Sequence, residues 1–266
     1  MQKVVLITGA SSGIGKAIGE YLYNKEYIVY GTGRNPDSIK NSMFKLLVLD
    51  VKDVSTIKST VDEIILKHNK IDVVINNAGV GITGPIEEIP ILEIKNSFET
   101  NFFGALEVIK AVLPHMRKQQ SGLIINITSI AGYMGLPYRG IYSASKGALE
   151  LITESLRMEV KQFGIAITNV APGDFATNIA AGRFHSEVTN SAYENAYGKT
   201  LKTMNIHVDK GGNPNEMAEA IYRIINTKNP KIHYKVGTFI QKFSIVLKRV
   251  LPDRVYERMV MKHYEL

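Results

Sequence analysis

The sequence predicts an α/β protein built on a doubly wound parallel sheet of about seven strands, with helices on both faces and a C-terminal helical extension. Short apolar, β-branched runs alternate with longer segments of helical periodicity along most of the 266 residues, which is the pattern of repeated strand-helix-strand units. Some of those runs, residues 71–75 above all, are apolar almost throughout, as strands covered on both faces must be. The first run meets a glycine-rich loop that opens directly into a helical pattern.

Composition narrows the function classes. The chain is 45% apolar and 21% charged, which suits one large domain with an appendage, expected here as residues 1–237 and 238–266. With no cysteine there is no disulfide, thiolate metal site or cysteine nucleophile, and the six histidines are scattered without ligand spacing, so no metal is expected. The N-terminus lacks the basic segment and cleavage pattern of an export signal. No run of 18 apolar residues suggests a membrane span. A cytoplasmic protein, at most peripheral to a membrane, is expected. The net charge of +7 is concentrated late: residues 231–266 hold eight Lys and Arg against three Asp and Glu. There is no recognition motif or aromatic-basic interleaving for nucleic acid.

Residues 4–8 read as the first strand and residues 14–24 as the first helix. In the loop between them, Thr8-Gly9-Ala10-Ser11-Ser12-Gly13-Ile14-Gly15, the glycines admit unusual backbone angles and let a ligand and the helix come close. The helix N-terminus then faces a pyrophosphate. This G-x-x-x-G-x-G loop resembles the cofactor loop of the short-chain dehydrogenase/reductase family, a Rossmann-type fold. The resemblance implies cofactor contacts from Gly9, Ser11, Ser12, Gly13, Ile14 and Gly15.

The second strand, residues 27–31, runs into a turn where such folds meet the adenosine ribose. The turn carries Gly33 and Arg34 in place of an acidic residue. A guanidinium suits a 2′-phosphate, so NADP(H) is expected over NAD(H). The third strand covers residues 45–50, and Asp50-Val51 resembles the family's adenine-contacting pair, although an aspartate there also suits a helix cap. A helix over residues 53–69 has an apolar stripe through Val54, Ile57, Val61, Ile64 and Ile65. After the strand at 71–75, Asn76-Asn77-Ala78-Gly79 resembles a family motif that steadies the sheet and borders the cofactor through Asn77, Ala78 and Gly79.

A long helix is expected over residues 98–117 with Asn101 near its start. Asn101 resembles the asparagine of the family's catalytic tetrad, which holds a water in a proton relay. The fifth strand, residues 123–127, ends at two hydroxyls, Thr128 and Ser129. The family places its serine 13 positions before its tyrosine, which selects Ser129. In a helix over residues 138–163, Tyr142 and Lys146 are four apart and share one face. An ammonium there favours the phenolate and tunes the phenol for proton exchange. The resemblance makes Asn101, Ser129, Tyr142 and Lys146 the catalytic set, with Tyr142 and Lys146 also touching the cofactor.

Residues 165–171 form a sixth strand. The following Pro172-Gly173-Asp174-Phe175-Ala176-Thr177 resembles the loop that meets the nicotinamide end through Pro172, Gly173 and Thr177. Residues 178–212 correspond to the family's substrate loop. Ile179, Phe184, Tyr193, Tyr197 and Met204 within it suggest a hydrophobic substrate, or packing of the loop on the body. A helix over 213–226 and a last strand at 232–236 complete the sheet.

Past residue 238 two helices are expected, separated at Pro252. Phe239, Phe243, Val246, Leu247, Val250 and Leu251 make an apolar stripe flanked by Lys242, Lys248, Arg249, Arg254, Arg258 and Lys262. Such a segment packs on the protein, roofs a substrate pocket, or lies on an anionic membrane. The resemblance implies NADP(H)-dependent interconversion of a carbonyl and an alcohol on a small hydrophobic, steroid-, retinoid- or lipid-like substrate by a homodimer or homotetramer. A 3-oxoacyl thioester reductase and a non-catalytic dinucleotide-binding scaffold are the alternatives.

Overall fold

The computed structural model describes residues 2–39, 41–175, 182–189 and 192–266. Its first half runs β1 (Val4–Ile7), α1 (Gly13–Asn24), β2 (Ile28–Gly33), β3 (Lys45–Val48), α2 (Val54–His68) and β4 (Val73–Asn76). A short β5 (Ile82–Thr83) follows, then α3 (Ile91–Phe98), α4 (Gly104–Gln119), β6 (Gly122–Ile127), α5 (Gly140–Glu159) and β7 (Ile165–Pro172). The remainder is β8 (Phe184–His185), α6 (Glu194–Asp209), α7 (Pro214–Ile225), β9 (His233–Val236), α8 (Phe239–Val250) and α9 (Asp253–His263).

Seven strands form one parallel sheet in the order β3-β2-β1-β4-β6-β7-β9. The chain winds outward one way from β1 to β3 and the other way from β4 to β9. The crevice between the ends of β1 and β4 is therefore the switch point where such sheets take ligands. Strand periodicity divides the core. Val4 and Leu6 face a layer of α2 and α4 residues including Ile57, Val61, Ile109 and Val112. Val5 and Ile7 face the opposite layer, with Ile18 and Leu22 of α1 and Met217 and Ile221 of α7. Each fully buried aliphatic side chain contributes roughly 1.5–3 kcal/mol relative to exposure.

Three local departures from the expected elements matter for the site. The long helix expected at 98–117 is two helices joined by a π-turn, Glu99–Phe103, which centres on the buried Asn101. Such turns widen the helix by one residue and often mark functional positions. Within the expected substrate loop, α6 is a helix of 16 residues. Its Tyr197 and Met204 are buried, and Tyr197 packs against Tyr138 with ring centroids 5.2 Å apart. They serve loop-to-body packing. The loop is further tied down where β8 pairs with β5. The helix expected over 138–163 ends at Glu159, and a 3-10 turn at Lys161–Phe163 leads to Gly164 in the left-handed region at φ 70°.

The C-terminal extension packs on the body. Ile245 of α8 and Tyr256 of α9 share an apolar cluster with Ile130, Met134 and Ala171, just past the end of β6. The expected apolar stripe of α8 is split: Leu247 and Leu251 join this cluster, while Phe239, Phe243, Val246 and Val250 are exposed.

Candidate active site

A cleft of about 560 Å³ lies over the C-terminal ends of the strands. Gly9, Ser11, Ser12, Gly13 and Ile14 form one wall. Gly9 holds φ 65°, and a Cβ there would meet the Ala78 backbone at 2.9 Å. Gly15 lies beneath, where a Cβ would collide with the Asn77 amide and the Gly9 carbonyl. Ser12 precedes α1 without a side-chain cap bond, which leaves first-turn N–H groups for an anionic ligand.

The opposite wall is Asn77, Ala78 and Gly79. It is locked to the glycine loop: Asn77 Nδ2 donates to the Thr8 and Gly9 carbonyls, each at 3.0 Å, and the Asn77 and Ala78 N–H groups donate to Thr8 Oγ1 at the same distance. Asn76 points into the sheet, donating to Asn126 Oδ1 at 2.8 Å. Arg34, Asp50 and Val51 line the far end. The helix cap that Asp50 might have supplied comes from Asp53, whose Oδ1 accepts from Ser55 N–H at 2.9 Å.

Tyr142, Lys146 and Pro172 line the near end of the cleft. Ser129 stands with Tyr142 in one cavity wall, and its hydroxyl favours the phenolate. Ser129 Oγ accepts from the Ala131 N–H at 3.1 Å, which leaves its own O–H to donate elsewhere. Thr128, the other hydroxyl at this strand end, donates to the buried Glu150 at 2.8 Å. Burial pushes the Glu150 carboxyl up to about 7.

Lys146 Nζ donates to the Ile127 carbonyl at 3.0 Å, and burial lowers its pKa to about 8. Asn101 Oδ1 accepts from the Val80 N–H at 2.9 Å, and its Nδ2 donates to the Val80 carbonyl at 3.0 Å and to Ser145 Oγ at 3.2 Å. Gly79 sits between the two: a Cβ there would lie 3.1 Å from Asn101 Oδ1 and 3.2 Å from Lys146 Nζ.

One expectation changes. The sequence assigned the cation that favours the Tyr142 phenolate to Lys146. The cation over the phenol ring is Arg139, with Cζ 5.5 Å from the centroid. Burial raises the Tyr142 pKa, while Arg139 and Ser129 pull it down. Lys146 is instead tethered to the end of β6, on the cleft side.

A second, smaller cavity of about 80 Å³ opens beside this pair, lined by Ser129, Tyr142, Gly173, Arg139, Asp174 and Arg183 among others. The extension backs its charged lining. Gln241 of α8 donates from Nε2 to Asp174 Oδ2 at 2.9 Å while its Oε1 accepts from the Thr238 N–H at 3.1 Å. Tyr264, just after α9, stands near Arg139. Against the pull of burial, Tyr264, Asp174 and Tyr142 favour the charged form of Arg139. Burial and the nearby Arg139 act the other way on Arg183. Thr177 and Ile179 fall outside the described residues. Sequence reasoning missed Arg139, Asp174, Arg183, Gln241 and Tyr264; only the placement of Arg139 three residues before Tyr142 hinted at the site.

A glycine cradle at a sheet switch point, joined to a serine-tyrosine pair with a buried lysine, defines an oxidoreductase of the nicotinamide-dependent kind. The family model described as short chain dehydrogenase matches residues 3–188, and the chain belongs to that family. It is 41% identical over 266 residues to a 3-ketodihydrosphingosine reductase of Bacteroides thetaiotaomicron, covering 99% of this chain and 98% of the relative. The crystal structure of a short-chain dehydrogenase from Streptomyces avermitilis superposes with a TM-score of 0.85 at 31% identity, covering 100% of this chain and 97% of that one. ElxO with NADP bound gives 0.71 at 29% identity, covering 89% and 97%.

Proposed function

We propose that this chain interconverts a carbonyl and an alcohol on a lipid-like substrate, using NADP(H). The observation that carries the reading is the placement of Ser129 and Tyr142 in one wall of the smaller cavity, with Tyr142 shared by the larger cleft. The relative named 3-ketodihydrosphingosine reductase supports a ketone on a lipid.

The cleft fits a dinucleotide: Gly9 and Gly15 leave no room for side chains where the backbone must close on it, and the N-terminus of α1 offers N–H groups to its phosphates. Exposed Arg34 at the far end suits a 2′-phosphate. When bound, the nicotinamide supplies or accepts the hydride. The chain's own residues hold the substrate oxygen and move its proton. Ser129 Oγ, oriented by the Ala131 N–H, donates a hydrogen bond to the carbonyl oxygen. Tyr142 gives the proton on reduction and takes it back on oxidation. Its pKa, raised by burial, keeps it a donor across neutral pH. Lys146 and Asn101, the latter fixed to Val80, extend the proton path away from the oxygen.

The test is steady-state turnover of 3-ketodihydrosphingosine and of simpler long-chain ketones with NADPH and with NADH. Tyr142→Phe is expected to bind NADPH normally and to lose at least about 100-fold in kcat. Near wild-type turnover by that variant overturns the assignment. Arg34→Ala is expected to lower the NADPH-over-NADH ratio of kcat/KM at least tenfold.

The same proposal extends to where the substrate is met. No helix among the described residues is long and apolar enough to cross a membrane. The outer face of α8 nevertheless exposes Phe239, Ile240, Phe243 and Val250 beside Lys242 and Arg249, which suits shallow contact with an anionic bilayer. Sedimentation with phosphatidylglycerol vesicles checks this: Phe239→Ser/Phe243→Ser is expected to leave the protein in the supernatant, and unchanged sedimentation overturns it.

A further inference from the structure

The cavity beside Ser129 and Tyr142 is small, and amid apolar residues such as Ile82, Phe175 and Val208 it takes three charged side chains. Arg139 comes from the residue before α5, Arg183 from the segment before β8, and Asp174 from the loop after β7. All three reach the space next to the catalytic hydroxyls. From the dinucleotide side, Lys146 adds a fourth ionisable group. The groups from the extension that bear on these side chains are Gln241, bonded to Asp174, Tyr264 near Arg139, and His263, close enough to feel Asp174.

Two guanidinium groups held together in a partly buried cavity repel one another, and each loses hydration. Among the described lining residues one carboxylate, Asp174, stands against them, and its Oδ2 already accepts from Gln241. The cavity is left with an excess of positive charge, which a bound anion relieves. Guanidinium groups are suited to carboxylate and phosphate oxygens because their donors form a planar fork. Arg139 is also beside the catalytic phenol, its Cζ 5.5 Å from the Tyr142 ring centroid.

We infer that Arg139 and Arg183 form an anion subsite, so that the preferred substrate is a lipid-like ketone or alcohol bearing a carboxylate or phosphate close to its carbonyl carbon. This rests on the oxidoreductase reading above and names its substrate class. The apolar remainder of such a substrate extends away from the two arginines. Asp174 and Tyr264 keep Arg139 aligned when the anion is away, and Gln241 keeps Asp174 from collapsing onto either guanidinium. A ketone bearing a cationic amine near the carbonyl meets the two arginines and is disfavoured.

The experiment has a turnover arm and a binding arm. With saturating NADPH, kcat/KM is compared for 3-oxodecanoate, its ethyl ester, a long-chain hydroxyketone phosphate monoester and the amino ketone 3-ketodihydrosphingosine. At least one of the two anions is expected to exceed the neutral ester tenfold or more, and which one does so identifies the source of the charge. In Arg183→Met the ratio of anion to ester is expected to fall toward one, and Arg183→Lys to restore part of it. An ester equal to both anions, or an amino ketone that outruns them, overturns the subsite while leaving the oxidoreductase reading intact. Turnover of no ketone at all, with Tyr142→Phe indistinguishable from wild type, counts against the oxidoreductase reading instead. The subsite is then judged by calorimetry of the NADPH-loaded protein. Decanoate or decyl phosphate is expected to bind at least tenfold more tightly than decylamine, with the difference lost in Arg183→Met; equal or reversed affinities overturn it.

Discussion

Tyr264 stands near the Arg139 guanidinium and favours its charged form, which couples the C-terminal extension to the cation lying over Tyr142. Residues 125 positions apart in sequence thereby act on one another. Tyr264→Phe removes the hydroxyl and keeps the ring and the backbone carbonyl that accepts from Thr200 Oγ1 at 3.2 Å. Loss of a polar partner of a charged group corresponds to about 1.5–3 kcal/mol. The expected outcome is a fall of roughly 10- to 100-fold in kcat/KM, with cofactor affinity unchanged by fluorescence titration.

Lys146 has its pKa lowered to about 8 by burial, so its ammonium is lost as pH rises through that value. If this cation helps hold the dinucleotide, NADPH affinity is expected to fall above about pH 8. Lys146→Met is expected to bind weakly at every pH and to flatten the profile. A binding titration from pH 6 to 10 checks both.

Glu150 bears on stability. Burial raises its carboxyl from the ordinary 4.5 to about 7, so the folded state holds this proton more tightly than the unfolded chain does. The resulting stabilisation is full below pH 4.5 and is lost as pH climbs to about 7. Glu150→Gln keeps an acceptor for Thr128 and removes the ionisation. It is expected to gain on the order of 2 kcal/mol over wild type at pH 8 and little at pH 5, read from urea unfolding at the two pH values.

Asn101 is a structural as well as a relay residue. Asn101→Ala strands the Val80 N–H and carbonyl, both paired to this one side chain. A loss of about 2–4 kcal/mol in unfolding free energy is expected, together with lower turnover. A variant that loses turnover at full stability would confine Asn101 to the proton path.

What was legible in the sequence was local. The glycine loop, the alternation of β1 and β4 residues between two core layers, and the four-residue spacing of Tyr142 and Lys146 are each set within a few neighbouring positions. The π-turn at Asn101 was hidden because helical periodicity continues across it. Helix α6 was hidden because polar residues dominate its stretch, while Tyr197, Thr200, Met204 and Val208 mark its inner face. The charged cavity had no local signature at all. It gathers Arg139, Asp174 and Arg183 from three separate segments, backed by Gln241 and Tyr264 from the extension, and only tertiary packing brings such groups together. The same reason explains why Arg139, not Lys146, proved to be the cation over the phenol.

Gln241 caps its own helix with one end of its amide and holds Asp174 with the other. That double bond of duty gives the extension a modular character. A related chain that replaced residues 238–266 would inherit the dinucleotide cradle and the serine-tyrosine pair intact, yet would hold Asp174 and Arg139 beside the second cavity by other partners. Divergence of substrate choice within this architecture therefore has a short route, by exchange of a terminal helical pair that leaves the chemistry of hydride and proton untouched.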